Sequence, residues 1–219
     1  MVEKYMKKED LKKLLTSFKE EDFYKRVDLH IHSCFSDGQM RPEQIIEQAS
    51  SSGMKYISIS DHNCIDAYFD EKIYNNPIII PAIEFDCIYK GILIHILGYG
   101  IDIHNKDLQK LFAKNRAGKK CNFHRILNLR NPKEVIESIK GAGGIAVLAH
   151  PCCYWAINLD KLVRNLINIG IEGIETYYLY KGLRSIVKFH RKRTVFDIAQ
   201  KYNLIKTGGT DSHGNKLLK

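Results

Sequence analysis

The residues of this sequence most able to do chemistry are histidines and carboxylates that recur at the ends of short apolar runs. Asp28-Leu29-His30-Ile31-His32 carries two imidazoles at a two-residue spacing, which on a β-strand points both to one side. Asp37 follows in Ser36-Asp37-Gly38, a turn that can fold a carboxylate back over the same strand end. Ser60-Asp61-His62-Asn63, Ala82-Ile83-Glu84, Leu93-Ile94-His95-Ile96, Leu148-Ala149-His150-Pro151 and Gly209-Thr210-Asp211-Ser212-His213 repeat the pattern. Six of the nine histidines, with Asp37, Glu84 and Asp211, therefore lie in or beside predicted strands. One such histidine is most simply a packed or capping residue, whereas nine donors placed alike point to a common site. Imidazoles and carboxylates with no thiolate among them suit Zn, Mn, Fe or Co and do not suit an all-oxygen Mg or Ca cage. Nine donors exceed the four of a closed zinc site, so two to three divalent ions are expected. Three such ions against three carboxylates leave a local charge of about +3, which attracts an anion such as phosphate. His104, His124 and His190 fall outside the pattern and are expected at the surface.

The elements that must position these donors follow from apolar periodicity. Strands are expected at 27–32, 56–60, 78–83, 92–99, 145–149, 171–177 and 205–209, with helices at 42–49, 132–140, 159–168 and 183–202. Their alternation favours a mainly parallel α/β sheet or barrel, with a local hairpin at Tyr89-Lys90-Gly91. Gly141-Ala142-Gly143-Gly144 precedes a strand and reads as a helix stop, not a phosphate loop. Residues 1–26 form a helical extension on an apolar stripe of Leu11, Leu14, Leu15 and Phe18.

The chain of 219 residues is 44% hydrophobic and 27% charged, enough to bury a core, which excludes a disordered or collagenous chain. Its 34 basic and 25 acidic residues give +9, and residues 181–219, with ten Lys+Arg and two Asp, hold +8 of it. That basic segment is either a solvated helix face or an attractor for a polyanion. The N-terminus lacks a signal-peptide stretch and no apolar run is long enough to span a bilayer, so a cytoplasmic protein with no membrane partner is expected. The six cysteines (34, 64, 87, 121, 152 and 153) contain no C-x-x-C pair and read as reduced thiols.

Taken in chain order from Val27 to Gly214, these motifs resemble the polymerase and histidinol phosphatase (PHP) family of metal-dependent phosphoesterases. The resemblance implies a distorted seven-stranded (β/α)7 TIM-like barrel over 27–219, with a short helical insertion at 102–131. It also implies a trinuclear centre of Mn, Zn or Fe: His30, His32, Glu84 and Asp211 at one ion, Glu84, His95 and His150 at a second, and Asp37, His62 and His213 at a third. Glu84, Asp211 and His213 would be the catalytic ligands, with a metal-bridging hydroxide attacking phosphorus. Asp61 would orient a ligand imidazole or cap a helix. Cys34, Cys152 and Cys153 lie beside ligands but are expected to pack. Arg116, Arg125 and Arg184 are candidates for a substrate phosphate, because a guanidinium fork suits a dianion.

Within the family the motifs look most like small nucleotide and nucleoside-bisphosphate phosphatases, so the expected substrate is a small phosphorylated metabolite such as a nucleotide. A 5'-3' exonuclease on short RNA or DNA is the near alternative, with Tyr177, Tyr178 and Tyr180 as base platforms. A metal-dependent amidohydrolase and a non-catalytic module of a DNA polymerase are the remoter ones. Every ligand position of the family carries a suitable residue here, which favours an active enzyme.

Overall fold

The computed structural model describes residues 6–23, 25–115, 117–120, 128–180 and 188–217. The elements in chain order are α1 (Lys8–Ser17), β1 (Val27–Ile31), α2 (Pro42–Ser51), β2 (Tyr56–Ile59), α3 (Glu71–Tyr74), β3 (Ala82–Tyr89) and β4 (Ile92–Tyr99). They continue with α4 (Lys106–Gln109), α5 (Ala117–Lys120), α6 (Pro132–Gly141), β5 (Ile145–Leu148), α7 (Leu159–Asn168), β6 (Gly173–Tyr178), α8 (Lys192–Lys201) and β7 (Ile205–Gly209). Pro42 and Pro132 open α2 and α6 where a missing N–H costs nothing. The Asn131 and Asn158 side chains cap α6 and α7 by accepting from the Lys133 and Lys161 amides. The chain leaves α6 through Gly143, at φ +76°, as the glycine run predicts.

The strands do not close into a barrel, which corrects the seven-stranded expectation. β3-β4-β5-β6-β7 form one mixed sheet and β1-β2 a separate parallel pair. β3/β4 and β4/β5 are antiparallel, and only β5/β6 and β6/β7 continue the parallel pattern. Between the two sheets run isolated bridges, Ile31 with Ser212, Ile57 with Ile79, and His62 with Glu84. The physical cause at one junction is the Tyr68 hydroxyl. The run 78–80 is bonded to β2 at Ile57, but beyond it Tyr68 accepts from the Ile59 and Ala82 amides and donates to the Ile59 carbonyl, taking the bonds that would continue the ladder, so the third strand starts at Ala82 and extends to Tyr89 along β4. Glu84 is therefore the third residue of β3, not the terminus of a strand at 78–83. The expected hairpin is present: β3 and β4 join through Lys90 and Gly91, at φ +50° and +81°, the positive-φ pair of a type I′ turn.

The helix expected at 183–202 is shorter. α8 starts at Lys192, residues 183–187 lie outside the described residues, and the Phe189 and His190 amides donate to the Cys152 carbonyl at 2.8 and 3.1 Å instead of entering a helix. In the 102–131 segment α4 and α5 are helical, while 116 and 121–127 lie outside the described residues.

α1 is not free in solvent. Leu11 and Leu15 are buried with Val27, Leu29, Leu97, Tyr99, Val147 and Ile205, at the end where the parallel strands begin. Gly100, at φ +65°, admits the helix, because a Cβ there would meet Leu11 Cδ2 at 2.2 Å. The larger core lies between the sheets and α2, α6, α7 and α8. No helix among the described residues is long and apolar enough to cross a membrane. Cys34, Cys64, Cys87, Cys152 and Cys153 are free thiols, and burial pushes Cys64 and Cys87 upward in pKa, so neither is a thiolate donor at neutral pH.

Candidate metal centre

β1 is buried along its whole length, and strand alternation sends Asp28 and His30, with His32 just beyond, to the side facing Glu84 and Asp211. His30 Nε2 and His32 Nε2 lie 3.1 Å apart. Glu84 Oε2 is 3.4 and 3.3 Å from these two atoms, and Asp211 Oδ1 is 3.4 and 3.0 Å from them. The other Glu84 oxygen, Oε1, is 3.0 Å from His95 Nδ1 and 3.1 Å from His150 Nε2, which are themselves 3.1 Å apart. On a third side Asp37 Oδ1 is 3.1 Å from His213 Nε2, and Asp37 Oδ2 is 3.7 Å from His62 Nε2.

Three overlapping donor groups result: His30, His32, Glu84 and Asp211; His62, Glu84 and His95; and His32, Asp37, His62 and His213. Within each, the ligand atoms lie within 4.8 Å of one another. Imidazole nitrogens facing nitrogens and carboxylate oxygens at these distances have surplus lone pairs, which divalent cations would satisfy. The donor chemistry thus fits more than one ion. All nine expected ligands converge here. Asp37, His95 and His213 keep 21%, 22% and 30% of their side chains exposed, whereas His30, His32 and Glu84 are closed off, so the donor cluster opens to solvent on the former side.

The charges are set by burial and neighbours. Burial opposes ionisation of Glu84, yet His30, His62 and His95 hold its carboxyl well below the usual range. Burial likewise opposes Asp37, and His213, His62 and His32 outweigh it and lower its pKa. Burial lowers His62 to about 4 despite Glu84 and Asp86, which keeps that imidazole neutral and ligand-ready. At His30 burial works against the charge, but Glu175 and Glu84 prevail and raise its pKa to about 10.

A supporting layer lies behind the donors. Glu175, buried in β6, accepts from His30 Nδ1 at 3.0 Å and from the His150 amide at 2.7 Å. The first bond turns His30 Nε2 toward the centre, and the second holds His150, whose backbone lies at φ +23°. Tyr178 donates to Asp211 Oδ2 at 2.7 Å and leaves Oδ1 toward His30 and His32. Asp28 accepts from the Thr210 amide and hydroxyl at 3.0 and 2.7 Å and fixes the approach to Asp211; burial raises its pKa to about 6 against those bonds. Asp61 accepts from the Ser33 amide and hydroxyl and from Ser36, and so ties down the loop between His32 and Asp37. Its carboxylate thus meets loop serines, with Ser36 Oγ in turn 3.5 Å from His32 Nδ1. Asp86, two residues beyond Glu84 and buried, lies against His62 and His95.

Glu175 and Asp86 carry no motif of their own, Asp28 opens the His30-x-His32 motif without joining the expected donors, and Tyr178 is expected from the sequence only as a base platform. A carboxylate inside a buried strand, at two-residue spacing from a ligand in the cases of Asp28 and Asp86, was the available signal. Arg116, Arg125 and Arg184 lie outside the described residues. His124 does too, His104 is exposed, and His190 is half-buried behind the Cys152 turn. Replacing His190 with Ala is expected to leave the bound-metal count unchanged by elemental analysis, and loss of an ion would show that it belongs to the centre.

Comparison with known proteins gives the same picture. Phosphoribosyl 1,2-cyclic phosphate 1,2-diphosphodiesterase of Eggerthella lenta is 22% identical over 85% of this chain and 94% of its own. A 3',5'-nucleoside bisphosphate phosphatase of Chromobacterium violaceum is 29% identical over 69% of this chain and 53% of its own. The 5'-3' exoribonuclease of Escherichia coli is 25% identical over 54% of this chain and 42% of its own, so the chain spans about half of these last two relatives. Among solved structures, an amidohydrolase from Chromobacterium violaceum with bound sulfate superposes with a TM-score of 0.69 at 18% identity, covering 86% of this chain and 88% of that one. A two-domain protein from Bacteroides vulgatus containing a predicted PHP-like metal-dependent phosphoesterase gives 0.57 at 16%, covering 87% and 52%. These structures share the fold, and the donor cluster could hold more than one metal ion. The model of the PHP domain matches residues 28–148, more than half of the sequence and five of the nine donors on one segment from His30 to Glu84, with His95 a sixth; the chain belongs to the PHP domain family.

Proposed function

We propose that the chain is a metal-dependent phosphoesterase that hydrolyses the phosphate monoester of a small phosphorylated metabolite, with a nucleotide as the favoured substrate. The observation that carries this reading is the overlap of three donor groups, two of which share Glu84 while the third meets them through His32 and His62. In this reading His30, His32, Glu84 and Asp211 hold one ion, Glu84, His95 and His150 a second, and Asp37, His62 and His213 a third. Bound there, Mn, Zn or Fe would supply a water activated at neutral pH and Lewis-acid stabilisation of phosphoryl charge. The protein's part is to keep Glu84 and Asp37 anionic, to hold His62 neutral, and to leave the Asp37, His95 and His213 side open to the phosphate.

The nucleotide preference is supported by an aromatic pair that follows Tyr154, a residue packed against the donor His150. Tyr154 packs its ring 5.9 Å from His150. The next residue, Trp155, is 75% exposed and meets the 48% exposed Phe189 edge-on at 5.2 Å. Lys188, Arg191, Lys192 and Arg193 flank Phe189 with no acid among residues 188–193, so a π-face and positive charge adjoin, as base and phosphate require. Tyr178 serves otherwise, buried and bonded to Asp211. The relatives named for bisphosphate and RNA hydrolysis favour the same class, with exonuclease action as the second reading.

Metal-stripped protein reloaded with Mn, Zn or Fe should release phosphate from 5'-mononucleotides or 3',5'-bisphosphates more efficiently than from sugar phosphates or histidinol phosphate. Shortening of 5'-phosphorylated RNA, with mononucleotides untouched, would replace the phosphatase by the exonuclease. Inactivity toward every phosphate ester with metal bound would overturn both. Trp155→Ala should raise KM for nucleotides by about 10-fold, as loss of one stacking contact does, and leave p-nitrophenyl phosphate turnover unchanged. Trp155 is the chain's single tryptophan, so nucleotide should also quench its fluorescence.

A further inference from the structure

Asp86 faces Glu84's side of β3 and is the direct cross-strand partner of His95 in the β3/β4 ladder. It is buried, and its two oxygens have separate environments. Oδ2 accepts from the Asn63 side-chain amide, while Asn63 Oδ1 accepts from the Asp86 backbone amide at 3.0 Å, a two-point clamp. Asn63 is itself fixed: its backbone lies at φ +55°, its carbonyl accepts from the Ala113 amide at 2.8 Å, and its Nδ2 also reaches the Gly118 carbonyl at 3.3 Å. The clamp leaves Oδ1 turned toward two imidazoles, 3.3 Å from His62 Nδ1 and 3.2 Å from His95 Nε2.

His95 Nε2 is turned away from Glu84 and His150, and His62 Nδ1 from Asp37, with Glu84 Oε2 a second carboxylate oxygen 3.2 Å from His62 Nδ1. His95 presents Nδ1 to Glu84 and His150, and His62 presents Nε2 to Asp37. A neutral imidazole carries one proton, and the nitrogen without it is the ligand. A carboxylate oxygen that accepts N–H from one side of a ring thereby dictates which nitrogen binds metal on the other.

We propose that Asp86 is a positioning residue shared by two ions: through Oδ1 it holds the proton on His62 Nδ1 and on His95 Nε2, committing His62 Nε2 to the ion with Asp37 and His213, and His95 Nδ1 to the ion with Glu84 and His150. The inference rests on the metal assignment proposed above. It adds that these two positions are coupled through one carboxylate, and that the coupling is anchored, through Asn63, to the segment carrying Ala113 and Gly118. The position held by His30, His32 and Asp211 takes its orientation from Glu175 and Tyr178 instead.

The test is the tautomer of each ring in the zinc-loaded, 15N-labelled full chain, read from long-range 1H–15N correlation spectra. His62 is expected to be protonated at Nδ1 and His95 at Nε2; the opposite proton on either ring overturns the proposal without touching the metal assignment. Asp86→Asn provides the second measurement. To keep its bond from Asn63, the new carboxamide must turn its oxygen to Asn63 and its NH2 to both imidazoles, which sets donors against donors. Chelator competition should then show about 10- to 100-fold weaker zinc binding at two positions and wild-type affinity at the third. Wild-type affinity at all three would overturn the proposal, as would weakening confined to one. Failure of the wild-type chain to take up zinc at all would overturn the metal assignment, and the role of Asp86 with it.

Discussion

Replacing Glu84 with Gln is expected to lower hydrolytic activity by at least about 10²-fold, the scale on which loss of one preorganised electrostatic contact is felt. It is also expected to reduce the metal content of the purified protein. The carboxylate has five imidazoles around it: His30, His32 and His62 at one oxygen, His95 and His150 at the other, all between 3.0 and 3.4 Å. A carboxamide keeps the shape but offers one acceptor oxygen and turns an NH2 toward a set of nitrogens that includes four proposed metal donors, those of His30, His32, His95 and His150. Bridging of two positions is lost, and the remaining ions are held by fewer anionic ligands. Phosphate release and elemental analysis on the same preparation check this. Full activity with a full metal complement would remove Glu84 from the bridge and dissolve the proposed assignment.

The second large effect is expected at a residue that binds no metal in this assignment. In the metal-free chain His30 is buried and, with a pKa of about 10, protonated near neutrality, with Glu175 as its partner. Glu175→Ala leaves that charge to Glu84 and Asp211, each 3.4 Å from Nε2, and strips the acceptor from His30 Nδ1 and from the His150 amide, which should cost about 3 kcal/mol in urea denaturation of the metal-free protein. The pH dependence has a definite sign. A histidine raised from 6.5 to about 10 by folding contributes its full stabilisation below about pH 6.5 and loses it as pH climbs through about 10. The gap between wild type and Glu175→Ala should therefore be widest at acidic to neutral pH and close toward pH 10. A gap that is independent of pH would assign the loss to packing alone.

The site was more legible in the sequence than the architecture. Ligand geometry depends on local rules, such as the alternation that pairs His30 with His32 and the apolar runs that deliver His62, His150 and Asp211 at their ends, and local rules survive in one dimension. Strand closure depends on which edges meet. The Tyr68 hydroxyl separates β2 from the start of β3, and the antiparallel β3 and β4 break the parallel repeat that suggested a barrel. The supporting residues were hidden for a different reason. Glu175 and Asp86 are recognisable only by the partners they meet across the fold, from residues 25 and more positions away in the chain to His95 on the neighbouring strand. Among the tyrosines, packing, the ordinary reading of a tyrosine-rich strand end, holds for Tyr178, which is buried with its hydroxyl on Asp211.

The two-residue turn at Lys90 and Gly91 acts as the register stop for the donors on both strands it joins. In the antiparallel ladder Glu84 faces Leu97 and Asp86 faces His95, and the pairing is counted outward from Tyr89 opposite Ile92. Because side chains alternate, slipping one strand by a single residue would turn Glu84 and Asp86 toward the apolar core and bring Phe85 and Cys87 into the polar cavity, exchanging five imidazoles' shared anion for a phenyl ring. Gly91 has open space around it, so its constraint is conformational and not steric. A surface turn thus serves as the ruler from which the spacing of the inner carboxylates is measured, and the grouping of the donors is written partly in its backbone torsions.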